Sequence, residues 1–244
     1  MRRFLVPDLS AESTELTLDG DLYRHLVTVL RLKPGAIVNL QSADGACCRA
    51  TISAIADRTV TLSLDEWSTE DRRSPLRIEL YQGMPKGDKL ELIIQKATEL
   101  GVSRIIPFPA ARSVTRIPEA RLPERIARWQ KIAAEAARQS GAVAPVIAPA
   151  PNLATALAGC HCDMRLIPWE EAAPGTLHQL LLSAPTPESI ALLVGPEGGF
   201  PTEEVATART HSFQTISLGP RILRTETAGL ALTAVVQSSW GDLG

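Results

Sequence analysis

Two spacings of apolar residues divide the chain. Over residues 1–70, short runs at Arg3–Val6, Glu15–Leu18, Ala36–Gln41, Cys47–Ile55 and Thr59–Leu64 predict strands. Turn signals at Asp19-Gly20, Lys33-Pro34-Gly35, Asp44-Gly45 and Asp57-Arg58 separate them. Asp21–Leu32 breaks this pattern, with Leu22, Leu26, Val29 and Leu30 at helical spacing. From Arg77 onward, strand and helix patterns alternate. Strands are predicted at Arg77–Gln82, Arg104–Phe108, Val146–Ala148, Met164–Pro168, Ile190–Val194 and Thr215–Leu218. Between them, Leu90, Ile93, Ile94, Ala97 and Leu100 form one helical stripe closed by Gly101. Arg121–Ser140 is a long helix with Ile126, Trp129, Ile132, Ala133 and Ala136 on one face. Leu153–Ala158, Thr176–Leu182, a helix opening at Pro201-Thr202-Glu203-Glu204 and a last one over Arg224–Ser239 complete the set. Strands spaced by helices predict an α/β fold with a parallel sheet. The polar stretch Trp67–Pro75 changes the composition, which places a domain boundary near Ser74 and two domains at 1–73 and 74–244.

Two strands of the second domain run into glycine- and proline-rich loops. The apolar run Ile190–Val194 suits a strand covered on both faces and leads into Gly195-Pro196-Glu197-Gly198-Gly199. The second stretch reads L-G-P-R-I-L-R-T-E-T-A over Leu218–Ala228. Ligands of parallel sheets bind beyond the carboxyl ends of the strands, where both loops lie. Neither loop is built for phosphate. The phosphate-binding and dinucleotide glycine motifs are absent, Pro196 has no N–H, and Glu197 places a negative charge in the loop. A neutral or cationic ligand is expected. A plain tight turn after a core strand is the alternative for the first loop alone.

Composition narrows the function. The chain has 244 residues and a formal net charge of −2, so nucleic-acid contact would need a local basic surface. Aromatic residues at 4% argue against a base-stacking platform. No apolar run reaches membrane-spanning length, and the N-terminus lacks a signal-peptide core, so a cytoplasmic protein is expected. Cys47, Cys48, Cys160 and Cys162 lack a second ligand pair at zinc spacing and are expected as free thiols, with no metal.

The two loops, together with Met84–Gly101 and Trp129–Gln139, resemble the RsmE family of SPOUT methyltransferases, and the resemblance spans nearly the whole chain. It implies a small N-terminal PUA-like β-barrel, an RNA-binding fold, and a C-terminal SPOUT domain tied in a trefoil knot. It implies S-adenosyl-L-methionine as cofactor and methylation at N3 of a uridine in 16S rRNA of the small ribosomal subunit. It also implies a homodimer. Cofactor contacts carry over to Leu193, Gly195, Glu197, Gly198, Gly199, Leu218, Gly219, Ile222 and Leu223, with Pro168–Glu170 as a further wall. Family members carry an arginine shortly after the segment matching Gln139-Ser140-Gly141; here Ala142-Val143-Ala144 follows.

Methylating uracil N3 requires an unpaired or flipped base, loss of the N3 proton and a methyl donor held in line. An arginine beside the cofactor loop suits the resulting anion, which points to Arg224. Glu226 either orients Arg224 or satisfies first-turn N–H groups, and an Arg224–Glu226 ion pair is the bland reading of both. No histidine lies in either loop, and no general base is assigned. Arg24, Arg31, Lys33, Arg112 and Arg221 are candidate RNA contacts, joined in the first domain by Arg2 and Arg3. Lys86, Lys89, Gln95, Lys96 and Glu99 are either a substrate-side block or ordinary solvated charge. Two other functions compete: a non-catalytic RNA-binding protein, and an α/β enzyme with a different nucleotide cofactor.

Overall fold

The computed structural model describes residues 3–6, 9–10, 12–42, 46–68 and 74–244. The Asp44-Gly45 turn, Arg2 and linker residues 69–73 lie outside the described residues. Two compact units make up the chain: Met1–Arg73 with Arg138–Val143, and Ser74–Ala137 with Ala144–Gly244.

In the first unit, β1 (Arg3–Leu5), β2 (Glu15–Leu18), β3 (Ile37–Gln41), β4 (Cys47–Ala56) and β5 (Thr59–Ser68) form one sheet in the order β1-β3-β4-β5-β2. Only β1–β3 is parallel, pairing Phe4 with Leu40. The long β4–β5 hairpin turns through Arg58 at φ 66° and shifts register between Arg49 and Ala50 and between Ile52 and Ala54. Such bulges strengthen the twist of a strand. Phe4, Leu26, Leu40, Ile52 and Leu62 are buried together.

The helical segment before β3 departs from the sequence expectation. After a first turn, α1 (Gly20–Tyr23), it widens into a π-helix over Arg24–Val29, with Leu30 N–H donating to His25 O at 3.0 Å. Leu22, Leu26 and Leu30 fit either pitch, so spacing alone does not separate the two. Arg31 ends the segment at φ 52°, unusual for a residue with a Cβ.

The second unit is built on a fully parallel sheet. Its strands are β6 (Arg77–Gly83), β7 (Arg104–Phe108), β8 (Val146–Ile147), β9 (Met164–Pro168), β10 (Ser189–Val194) and β11 (Gln214–Ile216), in the order β11-β9-β10-β6-β7-β8. Helices α2 (Lys89–Glu99), α3 (Leu122–Ser140), α4 (Leu153–Ala158), α5 (Thr176–Ser183), α6 (Thr202–Thr210) and α7 (Thr225–Trp240) join and cover them. Every residue of β10 is buried. Strand alternation sends Leu80 and Leu192 into a core with Ile93, Trp129, Leu177 and Val236. It sends Tyr81 and Leu193 into a second core with Leu157, Val205 and Ala208. The expected strand Thr215–Leu218 ends at Ile216 because the Ser217 N–H turns to Thr176 Oγ1, 2.8 Å away. All four cysteines are buried and none forms a disulfide.

Candidate functional site

Parallel strands put all their carboxyl ends on one edge. There the loops after β9, β10 and β11 surround a cavity of about 920 Å³, within the range of cofactor sites. Gly195, Glu197, Gly198, Gly199, Leu218, Gly219, Ile222 and Leu223 line it, as do Arg221, Arg224, Pro168, Trp169 and Glu170. Leu193 does not. It points into the second core, and its neighbour Val194 faces the cavity. The uniformly apolar run Ile190–Val194 hides which face each residue takes.

The first loop turns through Gly199 at φ 64°, a conformation open to glycine. Its glycines also serve close packing against protein. A Cβ on Gly198 would lie 3.0 Å from Arg112 Cβ, and one on Gly83 would lie 2.7 Å from Pro196 Cδ. The Arg112 guanidinium donates to Gly198 O at 2.8 Å. Arg112, expected as an RNA contact, therefore holds the loop. Its own turn is fixed by Glu204 Oε1, which accepts from Ala111 N–H at 2.8 Å, while Glu204 Oε2 is buried without a partner. Burial lifts the Glu204 carboxyl above its ordinary value, against the Ala111 hydrogen bond and the Arg112 charge.

A second set of bonds ties the loop to α7. Gln82, fully buried at the end of β6, donates to Thr225 Oγ1 at 2.9 Å and to Gly83 O at 2.9 Å. Thr225 in turn donates to Gly195 O. Nothing local in the sequence marks Gln82, because its partner lies more than a hundred residues away.

Glu197 is not an open charge. Both its oxygens accept from Lys86 N–H, at 3.1 and 3.3 Å, and Oε1 accepts from Lys89 Nζ at 2.8 Å. Burial alone would raise its carboxyl; the Lys89 and backbone hydrogen bonds outweigh that and hold it below the usual value. Lys89 Nζ also stands 3.6 Å from Glu226 Oε2, an ion pair longer than a hydrogen bond. Glu226 thus faces Lys89 rather than Arg224, and it is absent from the cavity wall. Arg224, the residue preceding α7, lines the cavity; its carbonyl accepts from Thr227 and Ala228 N–H, and its guanidinium has no hydrogen-bond or ion-pair partner among the described residues. Arg24, Arg31 and Lys33 are exposed in the first unit, away from these loops in sequence. Among the described residues no cluster of three His, Cys, Asp or Glu side chains is placed for a metal.

Comparison with known proteins agrees with this geometry. The family described as RNA methyltransferase domain matches residues 72–237, and the RNA methyltransferase PUA domain matches residues 18–65. This chain belongs to the RNA methyltransferase family. The ribosomal RNA small subunit methyltransferase E of Bacillus subtilis is 35% identical over 231 residues, 92% of this chain and 90% of the relative. The protein of the same name from Synechocystis is 32% identical over 97% of this chain and 77% of its own length. Among solved structures, the Neisseria gonorrhoeae ribosomal RNA small subunit methyltransferase E bound to S-adenosyl methionine has a TM-score of 0.84, at 32% identity over 100% of both chains. A putative methyltransferase from Legionella pneumophila with bound SAM has a TM-score of 0.86 at 30% identity, covering 99% of this chain and 98% of its own. The shorter match lies within the first unit, and the longer one covers most of the second, with the glycine loops in it.

Proposed function

We propose that this chain is an S-adenosyl-L-methionine-dependent methyltransferase acting on N3 of a uridine in 16S rRNA. The observation that carries the reading is the cavity bounded by the loops after β9, β10 and β11, with the Arg224 side chain in its wall. The residues present fit the cofactor. The cavity is large enough, Gly195, Gly198 and Gly199 leave backbone bare of side chains, and Trp169, Phe200, Leu218 and Leu223 give an apolar wall. The paired state of Glu197 removes its charge as an argument against anions, so exclusion of phosphate rests on the missing motifs and on Pro196.

S-adenosylmethionine would supply a methyl group activated on its sulfonium. The chain's own work is to place the base, stabilise it and exclude water. Arg224, free of other partners, stabilises the negative charge left when uracil N3 gives up its proton to solvent. A preorganised guanidinium in a partly enclosed site is worth about a hundredfold in rate. Arg221 lies on the same loop and in the cavity wall, and in this reading it contacts a flanking phosphate.

In this reading residues 1–73 dock RNA through Arg24, Arg31 and Lys33, and residues 74–244 perform the transfer as a SPOUT domain with a trefoil knot. Leu230 is half-buried and Val235 is exposed on α7, apolar surface that supports a two-fold homodimer through that helix. No helix among the described residues is long and apolar enough to cross a membrane, in keeping with a cytoplasmic site of action on the small ribosomal subunit.

The test is direct. Small ribosomal subunits lacking the modification, incubated with the protein and S-adenosylmethionine, should yield 3-methyluridine in digested 16S rRNA. Calorimetric titration should give binding of S-adenosylmethionine and not of NAD. Cofactor binding without any methylated nucleoside would overturn the choice of substrate. Absence of cofactor binding would favour a non-catalytic RNA-binding protein.

A further inference from the structure

Lys89 occupies a position that its own helix disfavours. It is the first residue of α2, where the helix dipole repels a cation. Its neighbours in the same helix behave as ordinary surface charge: Lys96 pairs with Glu99 one turn on, and Glu91 pairs with Arg128. Lys89 instead reaches two carboxylates from distant parts of the chain. Glu197 lies in the loop after β10 at 2.8 Å, and Glu226 lies in the first turn of α7 at 3.6 Å. Lys89 is also part of the cavity wall.

We propose that Lys89 is a positioning residue that joins the cofactor loop to the start of α7 and so fixes where Arg224 stands against the bound methyl donor. This rests on the methyltransferase reading above. The chain of contacts is short. Lys86 N–H and Lys89 Nζ together seat Glu197, which sets the loop between Pro196 and Gly198. The same ammonium holds Glu226, two residues beyond Arg224. The Arg224 guanidinium has no partner among the described residues, while its carbonyl accepts from Thr227 N–H at 2.9 Å and Ala228 N–H at 2.8 Å, so its place depends on the first turn of α7. Thr225, bonded to Gly195 O, pins the other side of that turn.

An exposed ion pair would add little. This arrangement differs because the Glu226 side chain is only 15% exposed and its Oε2 is buried with no hydrogen bond. Removing the ammonium leaves that carboxylate uncompensated, which costs far more than a surface pair contributes. The Glu197 hydrogen bond, and then the charges of Glu197 and Glu226, raise the Lys89 ammonium above its ordinary value, so it stays charged at any physiological pH.

The experiment compares wild type, Lys89→Met, Lys89→Arg and the double variant Lys89→Met/Glu226→Gln. Each is measured for melting temperature, S-adenosylmethionine affinity and single-turnover methylation at saturating cofactor and subunit. Lys89→Met should lower the single-turnover rate by about tenfold or more, the scale of a misplaced catalytic group. Lys89→Arg should recover most of that loss. The double variant should regain melting temperature, because the buried Glu226 carboxylate is gone and the more exposed Glu197 keeps its Lys86 N–H, yet stay slow, because the ammonium bridge is lost and only the Thr225 bond still ties loop to helix. A wild-type rate in Lys89→Met, or recovery of rate together with stability in the double variant, would overturn the proposal. Wild type that neither binds the cofactor nor methylates would instead overturn the underlying functional reading.

Discussion

Arg112 covers Gly198 twice over: its guanidinium donates to the Gly198 carbonyl at 2.8 Å, and its Cβ stands 3.0 Å from the place a Cβ on Gly198 would take. The glycine is required by a protein side chain as much as by a ligand. Gly198→Ala should push Arg112 aside at roughly the 1–3 kcal/mol typical of overpacking, weakening S-adenosylmethionine binding by about tenfold or more. Gly198→Val should abolish binding in calorimetry. Unchanged affinity in both variants would remove this loop from the cofactor site.

Thr225 links two strands' ends to one helix. Thr225→Val keeps the shape of the side chain but deletes the donor to Gly195 O and the acceptor for Gln82 Nε2. Gln82 is fully buried and already has an unpartnered Oε1, so a second loss falls on a group without access to water. The expected cost is about 1–3 kcal/mol, read as a drop of roughly 2–4 °C in melting temperature per kcal/mol for a chain of this size. Thr225→Ser, which keeps the hydroxyl, should recover most of it. Equal stability of the valine variant and wild type would refute the latch.

Glu204 gives a pH signature. Its folded carboxyl lies above the ordinary value of 4.5 because burial outweighs its Ala111 and Arg112 partners. Such a group contributes stability while protonated, fully below 4.5, and that contribution is lost as pH rises through the folded value. Near neutral pH the ionised side chain is therefore a cost. Glu204→Gln retains an acceptor for the Ala111 N–H and removes the charge. It should melt above wild type near neutral pH, with the difference closing in acid. A difference that does not change with pH would show that ionisation is not its source.

Arg31 and Arg224 should separate docking from chemistry. Arg31, exposed beyond the π-helix, should act on RNA affinity and its salt dependence while leaving cofactor affinity intact when changed to alanine. Arg224→Ala should lower the single-turnover rate at saturating RNA by about a hundredfold with cofactor affinity little changed. A normal rate in that variant would move the anion-stabilising role to Arg221.

The sequence carried the second unit further than the site inside it. Leu153–Ala158 and Met164–Pro168 fall where the pattern places them: the helix buries the Leu153, Ala156 and Leu157 face, and the strand is a short apolar run buried on both faces through Leu166 and Ile167. The two glycine loops were equally legible, since bare backbone after a buried strand has few other uses. Side-chain partners across the fold were not. Arg112 read as an RNA contact and its bond to the Gly198 carbonyl was not foreseen, and Glu226 was weighed against Arg224 when its charge meets Lys89. Both pairings span roughly ninety residues or more, and no local pattern encodes a contact at that range. In the first unit, helical spacing located the segment around Leu26 but could not distinguish a wide turn from an ordinary one.

The pairing of β6 with β10 brings Ile78 beside Ile190, 112 positions later. Contacts of such sequence separation form slowly and late. A nascent chain that has released β6 from the ribosome holds an unfinished sheet until β10 follows, and the cavity still lacks a wall until Leu218–Thr225 arrives. Partial synthesis therefore yields no partial enzyme. A product that ends between Phe200 and Leu223 carries the first unit and the first glycine loop, but neither Thr225, which pins that loop, nor Arg224.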